Sequence, residues 1–374
     1  WKSKGIPCVH IIDIDPRIRD VFQIPLIAEI GIVRSGVGHR LNDKLGCCIL
    51  KRARFIHKIR HFERIPFRLL CTRKIIDTRV EFVFSQYLQI ILFRDFLKFG
   101  KVLLSCQLYA EYIRYAEIGA IVLTGSEKAG SVVAAQAAKH IKKSTLELGG
   151  NDVFVVLDDA DLEKAVKIGV NARLNNAGQV CTAAKRFILH EKIADAFLSK
   201  FTEAFKQVKI GDPLDESTTL GPLSSKDALE TLTRQVNEAV KNGATLHYGG
   251  KPAQRDGSFF EPTILTNISR DNPAYFEEFF GPVAQMYVVK NDDEAVALAN
   301  DSHYGLGGAV FSQNIERAKK MASRIETGMV YINWLTDTAP ELPFGGVKRS
   351  GYGRELSDLG IKEFVNQKLV VVHK

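Results

Sequence analysis

From Ile118 onward, hydrophobic and polar positions fall into blocks with clear periods. IGAIVLTGS is an apolar run closed by a Gly-Ser turn and predicts a buried strand. EKAGSVVAAQAAKHI then predicts an Ala-rich helix. KKSTLELGGNDVFVVLDDA reads as two short strands broken at Gly149 and Gly150, with Asp158 or Asp159 placed to cap the next helix. In DLEKAVKIGVNARLNNAGQ, the apolar or small positions 162, 165, 166, 169 and 170 share one helical face. RFILH predicts a strand and ADAFLSKFTEAFKQV an amphipathic helix. Further on, DDEAVALANDS is helical, YGLGGAVFS a strand, NIERAKKMASRIE a helix closed by Gly328, and MVYIN a strand. Strands alternating with helices of this length predict an α/β fold with a largely parallel sheet. The final QKLVVVHK predicts a short strand with a basic tip, suited to a sheet edge or a subunit contact.

The first part of the chain shows no such order. EFVFSQYLQIILFRDFLKF is apolar without a sustained period, and caps and turn signals are sparse. GIVRSGVGHR spaces its glycines but has no lysine where a phosphate loop requires one, and Cys47-Cys48 lacks zinc-site spacing.

Composition sharpens this boundary. The 374 residues are 45% hydrophobic and 25% charged, which excludes a disordered or fibrous chain. No apolar run reaches the ~18 residues of a membrane span. Asp13 and Asp15 interrupt the start before a signal-peptide core forms, although the chain begins at Trp1 and not Met. The net charge of +8 is unevenly spread. Residues 1–100 hold 19 basic against 9 acidic side chains, whereas the rest holds 32 against 34. Five of the six cysteines precede residue 110, and the first hundred residues contain only Ala28 and Ala53 as alanines. Two compositions are joined in one chain.

Two residues in the ordered part carry candidate chemistry. Cys181 lies in NNAGQVCTAAKRF, where TAAK is expected to start a helix. A thiol at a helix N-terminus ionises more easily; a buried cysteine acting as a small hydrophobe is the alternative. Glu147 sits at a strand end between Leu146 and Leu148 and ahead of two glycines. Desolvation there raises a carboxyl pKa toward general-base work; a solvated glutamate is the alternative.

The two together are specific. LELGGN is followed 34 residues later by the cysteine of GQVC, and TGS, EEFFGP and PFGGVKRSGYGREL stand in order around them. In these motifs the chain resembles the aldehyde dehydrogenase superfamily over about residues 118–374. The wording of GGNDVFVVLDDADL, GQVCTAAKRF and PELPFGGVKRSGYGREL is most similar to bacterial succinate-semialdehyde dehydrogenases, with a broad aliphatic or aromatic aldehyde as the alternative substrate. The resemblance implies an α/β aldehyde dehydrogenase fold with an incomplete Rossmann-like nucleotide domain, an α/β catalytic domain and a C-terminal bridging strand. It implies a division into 1–117 (unmatched), 118–148 (remnant of the nucleotide domain), 149–345 (catalytic) and 346–374 (return and oligomerisation strand).

The resemblance also implies roles. Cys181 is the nucleophile that adds to the aldehyde, forming a thiohemiacetal and then, after hydride loss, a thioester. Glu147 is the base that activates water to release a free acid. Gly125 and Ser126, with Thr124, border the dinucleotide, NAD or NADP. Glu278 and Phe280 hold the nicotinamide ribose and pack near the ring. Glu355 serves a proton relay, or is a structural ion pair with a neighbour such as Arg354. A small aldehyde partner, a homo-oligomer (dimer or tetramer), no metal, no nucleic acid, no membrane and a cytoplasmic setting are expected. His303 is expected to be an ordinary loop histidine.

The resemblance stops upstream of Ile118. The family's oxyanion asparagine, in a Pro-Trp-Asn context, and the lysine for the adenosine ribose have no counterpart in residues 1–117, where Trp1 is the only Trp and Asn42 the only Asn. Loss of one oxyanion donor lowers rates about 100–1000-fold. Three expectations follow. Residues 1–117 are a frame error, rearrangement or degraded region; or the chain is a shortened homologue, weak or inactive, kept for assembly; or, least favoured, the basic cluster Lys51, Arg52, Arg54, Lys58 and Arg60 belongs to a nucleic-acid module.

Overall fold

The computed structural model describes residues 113–116 and 118–373. The chain divides into a unit of Trp1–Leu108 and Tyr115–Ile118 and a second of Tyr109–Arg114 and Gly119–Lys374. Every strand and helix below belongs to the second. The basic cluster at 51–60 and the cysteines before residue 110 lie outside the described residues.

Strand β1 (Ala120–Thr124), helix α1 (Glu127–Lys139) and strand β2 (Lys143–Glu147) form one crossover, and β1 pairs parallel with β2. Strand β3 (Val153–Val156) follows after the two glycines but joins a different sheet. Then come α2 (Leu162–Leu174), β4 (Arg186–His190), α3 (Glu191–Lys206), α4 (Lys226–Lys241), β5 (Thr245–Tyr248), β6 (Thr263–Thr266) and β7 (Val283–Val289). The chain continues through α5 (Asp292–Asn300), β8 (Tyr304–Gly305), β9 (Gly308–Phe311), α6 (Ile315–Ala322) and β10 (Tyr331–Ile332). It ends with β11 (Val347–Lys348), β12 (Gly351–Tyr352) and α7 (Ser357–Lys362).

The main sheet has the order β10-β9-β3-β4-β7-β6-β5 and is parallel except for the β5–β6 pair. Its central strands are covered on both faces, so they read as continuous apolar runs. Alternate residues of β3 point to opposite cores: Phe154 and Val156 pack with α2, α3 and α4, whereas Val153 and Val155 pack with α5 and α6. An aromatic stack runs through the first core. Phe154 lies 4.4 Å from Phe311 and 5.1 Å from Phe187 by ring centroid, and Phe187 lies 5.0 Å from Phe201.

Several local expectations are corrected. The cap of α2 is Asp161, whose carboxylate accepts from the Lys164 amide at 3.1 Å. Asp158 and Asp159 instead hold Arg317, which also pairs with Asp292. Helix α6 ends at Ala322, with Ser323 as its cap. Gly328 acts elsewhere. A Cβ there would collide with the Gly345 backbone, so the glycine permits two chain segments to touch. YGLGGAVFS forms two strands in different sheets, because β8 pairs with β11 and β9 with β3. In the single chain, residues 366–373 pair with no strand, and Leu369, Val370, Val371 and Val372 are exposed.

Candidate functional site

Three strand ends converge on Glu147. Thr124 is its parallel partner on β1 and Gly351 its antiparallel partner on β12. The Gly125 amide donates to the Glu147 carbonyl at 2.9 Å, and the Leu148 amide donates to the Ser350 carbonyl at 2.9 Å. Ser126 caps α1 by accepting from the Ala129 amide at 3.3 Å. The Thr124, Gly125 and Ser126 turn is thereby fixed beside Glu147. The Glu147 side chain is buried, and among the described residues neither carboxylate oxygen has a hydrogen-bond partner. Burial pushes its pKa up to about 8; the neighbouring Glu355 adds to the rise and Arg354 opposes it. Burial also raises Glu355. Arg354 donates to the Gly346 and Gly353 carbonyls, and among the described residues it makes no ion pair with Glu355.

The cysteine loop is built differently from its sequence-based expectation. Helix α2 runs into a tight turn, Asn175–Gly178, in which Asn176, Ala177 and Gly178 have φ of 51°, 54° and 74°. Three successive left-handed residues reverse the chain sharply, and two of them lack glycine's freedom. The turn is held by Asn176 donating to the Gln179 carbonyl at 3.1 Å, by Gln179 accepting from the Ser224 amide at 2.7 Å, and by buried Arg173 donating to the Gly178 carbonyl at 2.7 Å. Cys181 then lies in a turn that leads into β4, not at a helix N-terminus. The expected helix is absent because the chain enters the central strand within five residues. The thiol therefore gains no dipole. Burial pushes it up, Lys185 opposes the rise, and Asp152 adds to it.

Beneath the loop lies a polar cluster. The Lys185 ammonium nitrogen donates to the Cys181 carbonyl at 2.6 Å and the Val180 carbonyl at 3.1 Å, and pairs with Glu278 Oε1 at 3.0 Å. Glu278 Oε1 also accepts from the Gly150 amide at 3.1 Å. A Cβ on Gly150 would stand 2.7 Å from the Cys181 carbonyl, so LELGGN meets GQVC through a glycine contact. Asp152 is buried; Oδ1 accepts from the Gly307 amide at 3.1 Å, and burial raises its pKa to about 6.

The structure thus gathers the predicted residues into two adjoining groups. Glu147, Glu355 and the 124–126 turn form one; Cys181 and Glu278 form the other. Residues 148–150 connect them. The main charges acting on Glu147 are Glu355 and Arg354, whereas those on Cys181 are Lys185, Asp152 and Glu278. Phe280 is half-exposed and lines a cavity of about 1020 Å³ together with Asn176, Ala177, Gln179 and Leu223. His303 is an exposed loop residue stacked on Phe276, as expected. No group of three metal-ligating side chains occurs among the described residues. Asp152, Lys185 and Arg173 escaped the sequence reading. Their signal was a charge immediately ahead of an apolar strand (Asp152, Lys185) or within a helix (Arg173).

This parallel sheet, with a glycine-seated cysteine turn beside an orphaned buried glutamate, defines a class: the chain belongs to the aldehyde dehydrogenase family, whose signature matches residues 107–370. The match begins ahead of Ile118, where the sequence motifs start. The NADP(+) succinate-semialdehyde dehydrogenase of Deinococcus radiodurans is 52% identical over 260 residues, 70% of this chain and 54% of that protein. The corresponding enzyme of Mycolicibacterium paratuberculosis is 49% identical over 258 residues, 69% of this chain and 55% of that protein. A crystal structure of succinic semialdehyde dehydrogenase from Streptococcus pyogenes with NADP+ superimposes with a TM-score of 0.71 at 48% identity, covering 72% of this chain and 59% of that one. The chain spans about half the length of the curated relatives it matches.

Proposed function

We propose that this chain carries the catalytic portion of an NAD(P)-dependent aldehyde dehydrogenase, with NADP as cofactor and succinate semialdehyde as substrate. The observation that carries the reading is Glu147: a buried carboxylate with no partner among the described residues, raised to about 8, three residues ahead of the glycine that meets the cysteine loop. A carboxyl with no structural bond to make is available to take a proton from water. The choice of substrate and of NADP rests on the relatives named above.

The residues present suit the nicotinamide end of a dinucleotide. Glu278 Oε2 makes no hydrogen bond among the described residues, Phe280 offers a half-exposed ring, and the first-turn amides of α1 follow Gly125 and Ser126. When bound, the dinucleotide supplies the hydride acceptor. Cys181 Sγ adds as thiolate to the aldehyde carbon. Glu147 then accepts a proton from the water that hydrolyses the thioester. Glu355, a second raised carboxyl whose charge acts on Glu147, passes that proton outward in this reading. Residues 118–148 are the nucleotide-domain remnant in this reading, and 149–345 the catalytic domain. A thiol that must stay reduced favours the cytoplasm. No helix among the described residues is long and apolar enough to cross a membrane.

A second reading, an assembly role with little turnover, is favoured by the exposure of Leu369 (86%) and Val372 (81%). Such a strip suits a strand that pairs between copies. Turnover of succinate semialdehyde with NADP+, read as NADPH formation, separates the two. Cys181-dependent turnover that exceeds turnover of a neutral aldehyde supports the first reading. Absent turnover from a folded, oligomeric chain supports the second.

A further inference from the structure

We propose that Lys185 is a positioning residue for the cysteine loop, tying the carbonyls of Val180 and Cys181 to the carboxylate of Glu278. The inference rests on the reading of Cys181 as nucleophile. Lysine has three donor hydrogens and no acceptor. Here three acceptors surround the nitrogen: Val180 O at 3.1 Å, Cys181 O at 2.6 Å and Glu278 Oε1 at 3.0 Å. The Lys185 side chain is fully buried, out of reach of bulk solvent. The base of the loop is pinned as well, since the Lys185 and Arg186 amides both donate to the Asp152 carbonyl, at 3.0 and 3.1 Å.

The arrangement makes Glu278 and the thiol-bearing turn one mechanical unit. A shift of the Glu278 carboxylate pulls on Lys185, and Lys185 pulls on the backbone of Cys181. It also sets the local field. The charged groups facing the loop are Lys185 just ahead of β4, Asp152 ahead of β3, Glu278 ahead of β7, and Arg173 at the end of α2; Arg186 at the start of β4 acts on Asp152. Of those acting on the thiol, Lys185 favours the thiolate, while Asp152 and Glu278 oppose it. Arginine does not substitute: its planar fork is larger and aims its donors differently.

The test is the pH profile of Cys181 alkylation by iodoacetamide in the full chain, read by peptide mass spectrometry. It needs neither aldehyde nor dinucleotide. In Lys185→Met the alkylation midpoint moves to higher pH by about one unit, which is about a tenfold slower reaction below the midpoint. In Glu278→Gln, with Lys185 intact, the midpoint moves to lower pH. A residue that only filled space would leave both midpoints in place. If Lys185→Met does not fold, as judged by circular dichroism, Glu278→Gln decides alone: an unmoved or raised midpoint overturns the proposal. Assaying NADPH formation on the unsubstituted chain keeps the two ideas apart. Opposed midpoint shifts without turnover refute the dehydrogenase reading only; turnover with unmoved midpoints refutes the role of Lys185 only.

Discussion

Burial without a hydrogen-bond partner among the described residues makes the charged form of Glu147 costly and raises its affinity for a proton, so it takes one from water readily once ionised. Its pKa, raised from 4.5 to about 8, has a thermodynamic consequence. Between those values the folded chain binds more protons than the unfolded one, so stability falls as pH rises through that window. Glu147→Gln removes this slope, and denaturant titrations at several pH values will show a flatter profile for the variant. Under the proposed function, the same substitution is expected to lower steady-state turnover about 100- to 10,000-fold, because a carboxamide accepts no proton from water. On the same reading, the first, stoichiometric burst of NADPH is expected to stay intact, since thioester formation does not use Glu147. The candidate role of Glu147 was visible in the sequence, because apolar flanks and two glycines announce a desolvated strand end. The true state of Cys181 was not. Its sequence suggested a helix start, and the thiol's neighbours Lys185, Asp152 and Glu278 come from segments up to 126 residues apart.

At the scale of the element, the decisive feature is the Asn175–Gly178 turn. It converts the end of α2 into the entry of β4 and leaves the Cys181 carbonyl against Gly150. Gly178→Ala would place a Cβ 2.7 Å from Arg173 Nη2 and against the Gly281 carbonyl, at a φ of +74°. A loss of more than about 1 kcal/mol is expected, measurable as a lower denaturation midpoint, together with slower alkylation of Cys181. The strands and helices around this turn were legible because their periods of 2 and 3.6 are local. Helix α4 and strands β5 to β7 were not assigned from the sequence, and β8 and β9 were merged. Two adjacent apolar segments carry the same pattern whether or not they join one sheet; only pairing with β11 or with β3 separates them.

At the scale of the described fold, two sheets carry the site: Glu147 and the 124–126 turn hang on the three-stranded sheet, and Cys181 and Glu278 hang on the strands of the seven-stranded one. Phe154 joins the stack at its centre, packed against Phe187 and Phe311 and fully buried. Phe154→Ala should cost about 3–5 kcal/mol, seen in urea denaturation as a lowered midpoint with little change in slope. Assembly belongs to this scale too. Removing residues 367–374 is expected to reduce the mass measured by light scattering while leaving the circular dichroism of the remaining chain intact.

The sequence alone determined the α/β alternation, the order of the motifs and the identity of Cys181 and Glu147 as candidates, because these depend on local period and on residue chemistry. It also marked the change in charge and composition ahead of Ile118. Tertiary structure decided the rest. It set which of two sheets each strand joins, that Arg354 serves backbone carbonyls and not Glu355, and that a lysine from the turn into β4 ties the cysteine loop to Glu278. Such facts depend on distances between residues far apart in the chain, and burial then turns those distances into shifted protonation and fixed position.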